Sequence, residues 1–241
     1  MKAFIITLQE HGNKEPIKAA ERCVQSIKST HSKIEPELFS ATTPANMKEH
    51  MRETFGKVVP WNWPVDDHQN SYDLSTGLFK KTYPARDPMR VTACAVSHAR
   101  LWKKCVDLNE TIVILEQDAL FMNTFNPENF SGYEWGAIGL NDPRGATRKS
   151  MLYHKMIVED GRSIQKVPSI DAFGAESLPM GLAGNSAYII KPHAARDLLN
   201  KVDNVGLWPN DALMCKQLFR WLRVCYPFFT KVQGTQSTTT G

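Results

Sequence analysis

The chain has 241 residues, 42% of them hydrophobic and 22% charged, the composition of a globular protein long enough to bury its own core. Its 29 basic and 25 acidic residues leave a net charge of +4, which permits an anionic partner without requiring one. No segment is apolar over the length a bilayer span needs, and the N-terminal run MKAFIITL is too short for a signal-peptide core, so a cytoplasm-like location is expected. The five cysteines (Cys23, Cys94, Cys105, Cys215 and Cys225) are odd in number and lack CxxC spacing, which reads as reduced, mostly buried thiols.

In chain order, KAFIITL is rich in β-formers and reads as a buried strand. A helix follows, with Pro16 in its first turn and Ile17, Ala20, Val24 and Ile27 at helical spacing. KIEPELFSA reads as a second strand interrupted at Pro36, and the βαβ order implies a parallel sheet. NMKEHMRETF is a short helix. Residues 57–90 contain Trp61, Trp63 and several Pro and Gly without a sustained period, so they read as a long structured loop of the kind that usually serves function.

Asp87 and Pro88 then open a helix with Val91, Cys94, Ala95, Trp102 and Cys105 on one face. TIVILEQDAL and YEWGAIGL read as strands, 141–170 as a polar hairpin, and GNSAYIIKPHAARDLLNKV as strand, Pro192 break and helix. PNDALMCKQLFRWL reads as a helix and RVCYPFFTKV as a late strand broken at Pro227. The last residues, 231–241, form a polar tail expected to be flexible. With no repeat and no linker, residues 1–241 are expected to form one domain, with 60–90 on its acceptor side.

Chemistry concentrates where TIVILEQDAL ends. Side chains alternate along a strand, so Ile112, Ile114, Glu116 and Asp118 point one way and Val113, Leu115 and Gln117 the other. Ligands of open α/β sheets bind beyond the C-terminal strand ends. Two neighbouring carboxylates repel unless a cation joins them, and oxygen ligands suit Mg²⁺ or Mn²⁺ with a bound diphosphate. The plain alternative is a solvated strand end.

Several motifs together resemble glycosyltransferase family 25, which includes lipopolysaccharide-biosynthesis and collagen galactosyltransferases. In ACAVSHARLWKKCVDLNETIVILEQDALF these are Cys94, Ala95, Ser97, His98, Leu101, Trp102 and the triplet Glu116-Gln117-Asp118. GLAGNSAYIIKPHAARDLL, WPNDALM, YPFFTKVQGTQST and the opening FIITL are similar to further family segments in the same order.

The resemblance implies an α/β fold of GT-A type, a Rossmann-like mixed sheet flanked by helices, binding a nucleotide-sugar, with UDP-sugar the expected donor, beside a divalent metal. It makes Asp118 the main ligand of Mn²⁺ or Mg²⁺, with Glu116 assisting. Thr7, Arg22, Gln117, Gly184 and Asn185 join them on the donor side. Asp211 is the implied base for the acceptor hydroxyl, with Asn210, Trp61 and Trp63 on the acceptor side. Ser97 and His98 are implied to support the carboxylates from behind.

Each assignment has a plainer alternative: a core histidine for His98, a helix cap for Asn210 or Asp211, a turn for Gly181, Gly184 and Asn185, and a loop anchor for the tryptophans. Three departures from the family pattern stand out, the first being that the family's Arg after the opening strand is displaced, with Arg22 the nearest candidate. Gln117 replaces an acidic residue, and Val91 stands where the family often has Glu.

The expected activity is metal-dependent, inverting sugar transfer to a hydroxyl. The acceptor is a glycan such as lipopolysaccharide, or a hydroxymethylated pyrimidine in DNA, the latter motivated by Trp61, Trp63, Lys80, Lys81, Arg86 and Arg90. The rival readings are a non-catalytic nucleotide-sugar-binding protein and a metal-dependent phosphohydrolase.

Overall fold

A computed structural model describes residues 1–9, 14–82, 87–144, 150–169 and 177–234. In chain order the elements are β1 (Lys2–Thr7), α1 (Glu15–Ser29), β2 (Glu35–Ser40), α2 (Met47–Phe55), β3 (Ser71–Tyr72), β4 (Phe79–Lys80), α3 (Pro88–Leu108), β5 (Ile112–Glu116) and β6 (Ala119–Phe121). They continue with β7 (Ala137–Gly139), α4 (Ser150–Asp160), β8 (Ile164–Lys166), β9 (Ala187–Ile190), α5 (Pro192–Val205), α6 (Asn210–Leu213), β10 (Leu222–Cys225) and β11 (Thr230–Val232).

Seven strands form one mixed sheet in the order β2-β1-β5-β9-β7-β10-β8. β1 runs parallel to β2 and β5, while β9 is antiparallel to both β5 and β7. The expected α/β mixed sheet with flanking helices is therefore present. Alternation assigns the strands to two buried layers. Phe4, Ile112, Ile114 and Tyr188 pack with α3 and α5, whereas Ile5, Val113, Leu115 and Ile189 pack with α1.

Several elements differ from the sequence reading. The buried face of α1 is Pro16, Ala19, Ala20, Cys23 and Ile27, with Ile17 exposed, a rotation of the expected stripe. Pro36 does not interrupt β2, because β2 is an edge strand and a missing N–H is tolerated there. Residues 150–166 form α4 and β8 rather than a hairpin; only Ser150, Tyr153 and Ile157 of α4 are buried, too few to give a strong helical period. The helix expected over 209–222 stops after one turn. Beyond α6 the chain pairs back on the 180s, where Lys216 N donates to Met180 O at 2.9 Å. Buried side chains surround α3 on most sides instead of on one stripe, while the Asp87 cap (Met89 N, 2.9 Å) and Pro88 start are as expected.

The 57–82 loop is held by a buried ion pair, Lys80 Nζ–Asp73 Oδ2 at 3.3 Å, with Lys80 also donating to Asn62 Oδ1 at 2.7 Å. Burial alone would push Asp73 up, but bonds from Ser75, Lys80 and Thr76 hold its carboxyl below the ordinary value. Backbone bonds Leu207 N→Pro60 O and Asn62 N→Leu207 O then dock the loop beside the segment entering α6. Four of the five thiols are buried and none is in a disulfide. No helix among the described residues is long and apolar enough to cross a membrane.

Candidate active site at the end of the central strand

β5 delivers Glu116 as its last residue, where its N–H donates to Ser186 O at 2.7 Å. Asp118 is not on the strand as expected; it lies in the turn that leads into β6. The two carboxylates nevertheless interact. Burial, and then the Glu116 charge, push the Asp118 carboxyl up to about 7. Asp118 Oδ1 is buried with no hydrogen-bond partner among the described residues. Gln117 lies in the same turn, so strand alternation does not set its direction; its Oε1 accepts from Leu8 N at 3.1 Å.

From α3, His98 reaches Glu116, with Nε2 3.2 Å from Oε1. Its Nδ1 is 2.9 Å from the Tyr188 hydroxyl, which also accepts from Trp102 Nε1 at 2.8 Å. His98 therefore stands behind Glu116 as expected. Ser97 does not: its hydroxyl accepts from Thr42 N at 2.8 Å and donates to Ala93 O at 3.0 Å, tying α3 to the chain after β2.

From α6, Asp211 approaches the same carboxylates. Burial raises its carboxyl, the adjacent Ala212 N–H opposes this, and the Glu116 charge raises it further. Pro209 is the N-cap of α6 and Asp211 lies in its first turn, so neither Asn210 nor Asp211 is the cap. Cys94 sits amid the group. Its thiol is pushed well above the ordinary range by burial and then by Glu116, Asp211 and Asp118, and its Sγ lies 3.9 Å from Asn210 Oδ1.

Other positions divide. Gly184 occupies a left-handed turn (φ 72°) before Asn185. The buried Asn185 Oδ1 and Ser186 Oγ have no partner among the described residues. Gly181 serves a different purpose from a donor seat: a Cβ there would overlap the Asp211 carbonyl oxygen and lie 2.7 Å from that of Met214. Thr7 is buried one residue beyond the Ile6–Glu116 register pair, its hydroxyl donating to Ile5 O at 3.2 Å.

Arg22 is not brought to the carboxylates by any described contact; it is exposed and bonded to Glu15 at 2.7 Å and Gln233 Oε1 at 2.6 Å. Trp63 is a loop anchor, packed 5.1 Å from Trp208 between ring centres and donating to Lys81 O. Trp61 is half-buried, with its indole nitrogen unpartnered among the described residues. The first tail residues are tied down, since Gln233 Nε2 donates to Ala19 O at 2.9 Å; 235–241 lie outside the described residues. Sequence reasoning missed Ser186, Trp102 and Tyr188 as parts of the site. The alternation of β9, which puts Tyr188 on the α3 side, was the available signal.

Two donor sets overlap on Glu116. Glu116 and Asp118 offer oxygens, one of them buried and unsatisfied, which fits a hard divalent cation. Cys94, His98 and Glu116 offer sulfur, nitrogen and oxygen within 4.8 Å of one another, the set of a borderline metal such as zinc.

No curated protein matches the chain in a sequence search. Solved structures with a distant likeness include galactosyltransferase LgtC in complex with donor and acceptor sugar analogs, at 11% identity and TM-score 0.40, covering 93% of this chain and 73% of that one. A Bacillus anthracis protein described as a glucose-1-phosphate thymidylyltransferase, in complex with a sucrose, shares 15% identity at TM-score 0.40, covering 93% and 85%. Mouse xyloside xylosyltransferase 1, in its apo form, shares 9% at 0.36, covering 92% and 81%. None of these likenesses carries any part of the functional argument. The model of glycosyltransferase family 25 (LPS biosynthesis protein) matches residues 1–214, a span that includes Cys94, His98, Glu116, Asp118, Tyr188 and Asp211. The chain therefore belongs to glycosyltransferase family 25 and is a glycosyltransferase enzyme.

Proposed function

We propose that this enzyme transfers a sugar from a UDP-sugar to a glycan hydroxyl, with inversion and with a divalent metal. The observation that carries this reading is that the Glu116 charge raises both Asp118, two residues on, and Asp211, which arrives from α6, with a buried Asp118 oxygen lacking any partner among the described residues. A divalent cation, Mn²⁺ or Mg²⁺, held by Asp118 and Glu116 would neutralise the charge gathered by the departing diphosphate.

Asp211 takes the proton of the attacking hydroxyl, and its raised pKa makes it a stronger base than an ordinary aspartate. Asn185 Oδ1 and Ser186 Oγ, buried and unpaired, receive donor-sugar hydroxyls. The Gly184 turn brings the backbone past them. Cys94 keeps its proton under burial and the surrounding negative charge, so it does not compete as a nucleophile.

A glycan is favoured over DNA as acceptor, because three of the six residues that motivated DNA are engaged within the fold. Lys80 is buried on Asp73, Trp63 is packed on Trp208, and Arg90 pairs with Asp87 at 3.6 Å; Arg86 lies outside the described residues. The test is a thermal-shift series with UDP, and UDP release from UDP-sugars. UDP should stabilise modestly alone and clearly more with Mn²⁺. Equal stabilisation in EDTA would count against the metal, and failure of every UDP-sugar to release UDP would count against the donor.

A further inference from the structure

We propose that Trp102 and Tyr188 act through His98 as positioning residues: they place the His98 proton on Nε2, so that His98 donates to Glu116 and the cation site keeps oxygen ligands only. This rests on the reading of Glu116 and Asp118 as the cation-holding pair.

The direction of the chain follows from what each atom can do. The indole nitrogen of Trp102 only donates, so at 2.8 Å it must use the Tyr188 oxygen as acceptor. Tyr188 is wholly buried, and burial keeps it a phenol with a proton to place. Its other hydrogen-bonding neighbour among the described residues is His98 Nδ1, at 2.9 Å. The phenol proton therefore points at Nδ1, which must be bare. A neutral imidazole carries one proton, so it lies on Nε2, 3.2 Å from Glu116 Oε1, where an N–H donor is what a carboxylate needs. The ring is fully buried and stacked on Tyr188 at 5.8 Å, so it cannot turn over to exchange its nitrogens without unpacking.

This wiring decides between the two donor sets. For the Cys94–His98–Glu116 group to take Zn²⁺, Nε2 must be bare and Cys94 must be a thiolate. Tyr188 denies the first of these: by directing its own proton at Nδ1 it keeps Nε2 protonated. One Glu116 oxygen is engaged by His98, leaving the other oxygen with those of Asp118. The relay thus makes the site selective for a hard cation by withholding the soft ligands that lie beside it.

Nitrogen-resolved NMR of the metal-free enzyme reads the tautomer directly. A protonated Nε2 with a bare Nδ1 at His98 is expected; the opposite tautomer or an imidazolium would overturn the relay. Titration with Co²⁺ alone should give no thiolate-to-cobalt charge-transfer band, and such a band, lost in Cys94→Ser, would also overturn it. His98→Gln retains an N–H where Nε2 sits and should hold apparent Mn²⁺ affinity within a few-fold of the parent. His98→Leu should weaken Mn²⁺ about 10–100-fold. Equal losses in the two variants, with folding intact by circular dichroism, would mean that the donor to Glu116 is irrelevant and would overturn the proposal. Absence of Mn²⁺ binding by the parent, with the Nε2–H tautomer observed, would sink the cation reading while supporting the relay.

Discussion

Replacing Asp118 with asparagine should stabilise the metal-free enzyme at alkaline pH while abolishing its response to metal. Burial and the Glu116 charge raise the Asp118 carboxyl from 3.8 to about 7. A raised acid binds its proton more tightly folded than unfolded. Its contribution to stability is full below the unfolded value, declines as pH climbs from about 4, and is lost once pH passes about 7. Each unit is worth about 1.4 kcal/mol, so the charged pair costs the folded, metal-free protein on the order of 4 kcal/mol at pH 8. Asparagine resembles the protonated acid and does not ionise. Asp118→Asn should therefore exceed the parent by only about 1 kcal/mol at pH 4.5 and by up to about 4 kcal/mol at pH 8 in EDTA. In a chain of this size that is roughly 8–15 °C in Tm. Urea unfolding at both pH values, with EDTA and with Mn²⁺, makes the comparison. A variant equally or less stable than the parent at pH 8 in EDTA would show that the carboxylate is already compensated. Retained stabilisation by Mn²⁺ would remove Asp118 from the metal site.

Three further substitutions separate the roles. Gly181→Ala, whose Cβ would overlap the Asp211 carbonyl, should displace α6 and lower kcat about 10²-fold with donor KM nearly constant; unchanged kcat would show that Asp211 need not be placed so closely. Gln117→Asp shortens the side chain that accepts from Leu8 N, so it should cost about 1 kcal/mol in denaturant unfolding. It should not raise Mn²⁺ affinity in titration; a large gain would place position 117 on the metal side. Asp211→Asn should lower turnover about 10²–10⁴-fold while leaving UDP affinity intact and Tm no lower than the parent's, since Pro209 is the cap of α6 and the raised carboxyl disfavours the folded state when charged; turnover within a few-fold of the parent would leave the base unidentified.

The sheet was legible because continuous apolar runs such as IVILE and AYII mark strands buried on both faces, and because Asp87-Pro88 and Pro192 mark helix starts. Glu116, Asp118, His98 and Asp211 were legible as members of one site through ordered motifs rather than through spacing, since they arrive from β5, its following turn, α3 and α6. The errors have local causes. Lys80 looks like a surface cation until its partner Asp73, seven residues earlier, folds back through the β3–β4 hairpin. Trp63 looks like an exposed stacking platform until Trp208, far along the chain, covers it. Ser97 shares a motif with His98, but adjacent helical residues point about 100° apart, so one faces Glu116 and the other Thr42. None of these pairings leaves a trace in a local window of sequence.

Asp73 and Asp118 show what separates a structural carboxylate from a functional one in this protein. Both side chains are removed from water and both sit in turns next to short strands. Asp73 receives Lys80 and four bonds from Ser75 and Thr76, and its carboxyl falls below the ordinary value. Asp118 receives the repulsion of Glu116, keeps one oxygen unsatisfied, and its carboxyl rises. The first arrangement is complete within the chain and rigidifies the loop beside α6. The second has no cation to offset it among the interactions found for Asp118, whereas Lys80 is committed to Asp73. On the proposed reading, the burial of Asp118 would store affinity for a cation, while the burial of Asp73 holds the loop beside α6 in place.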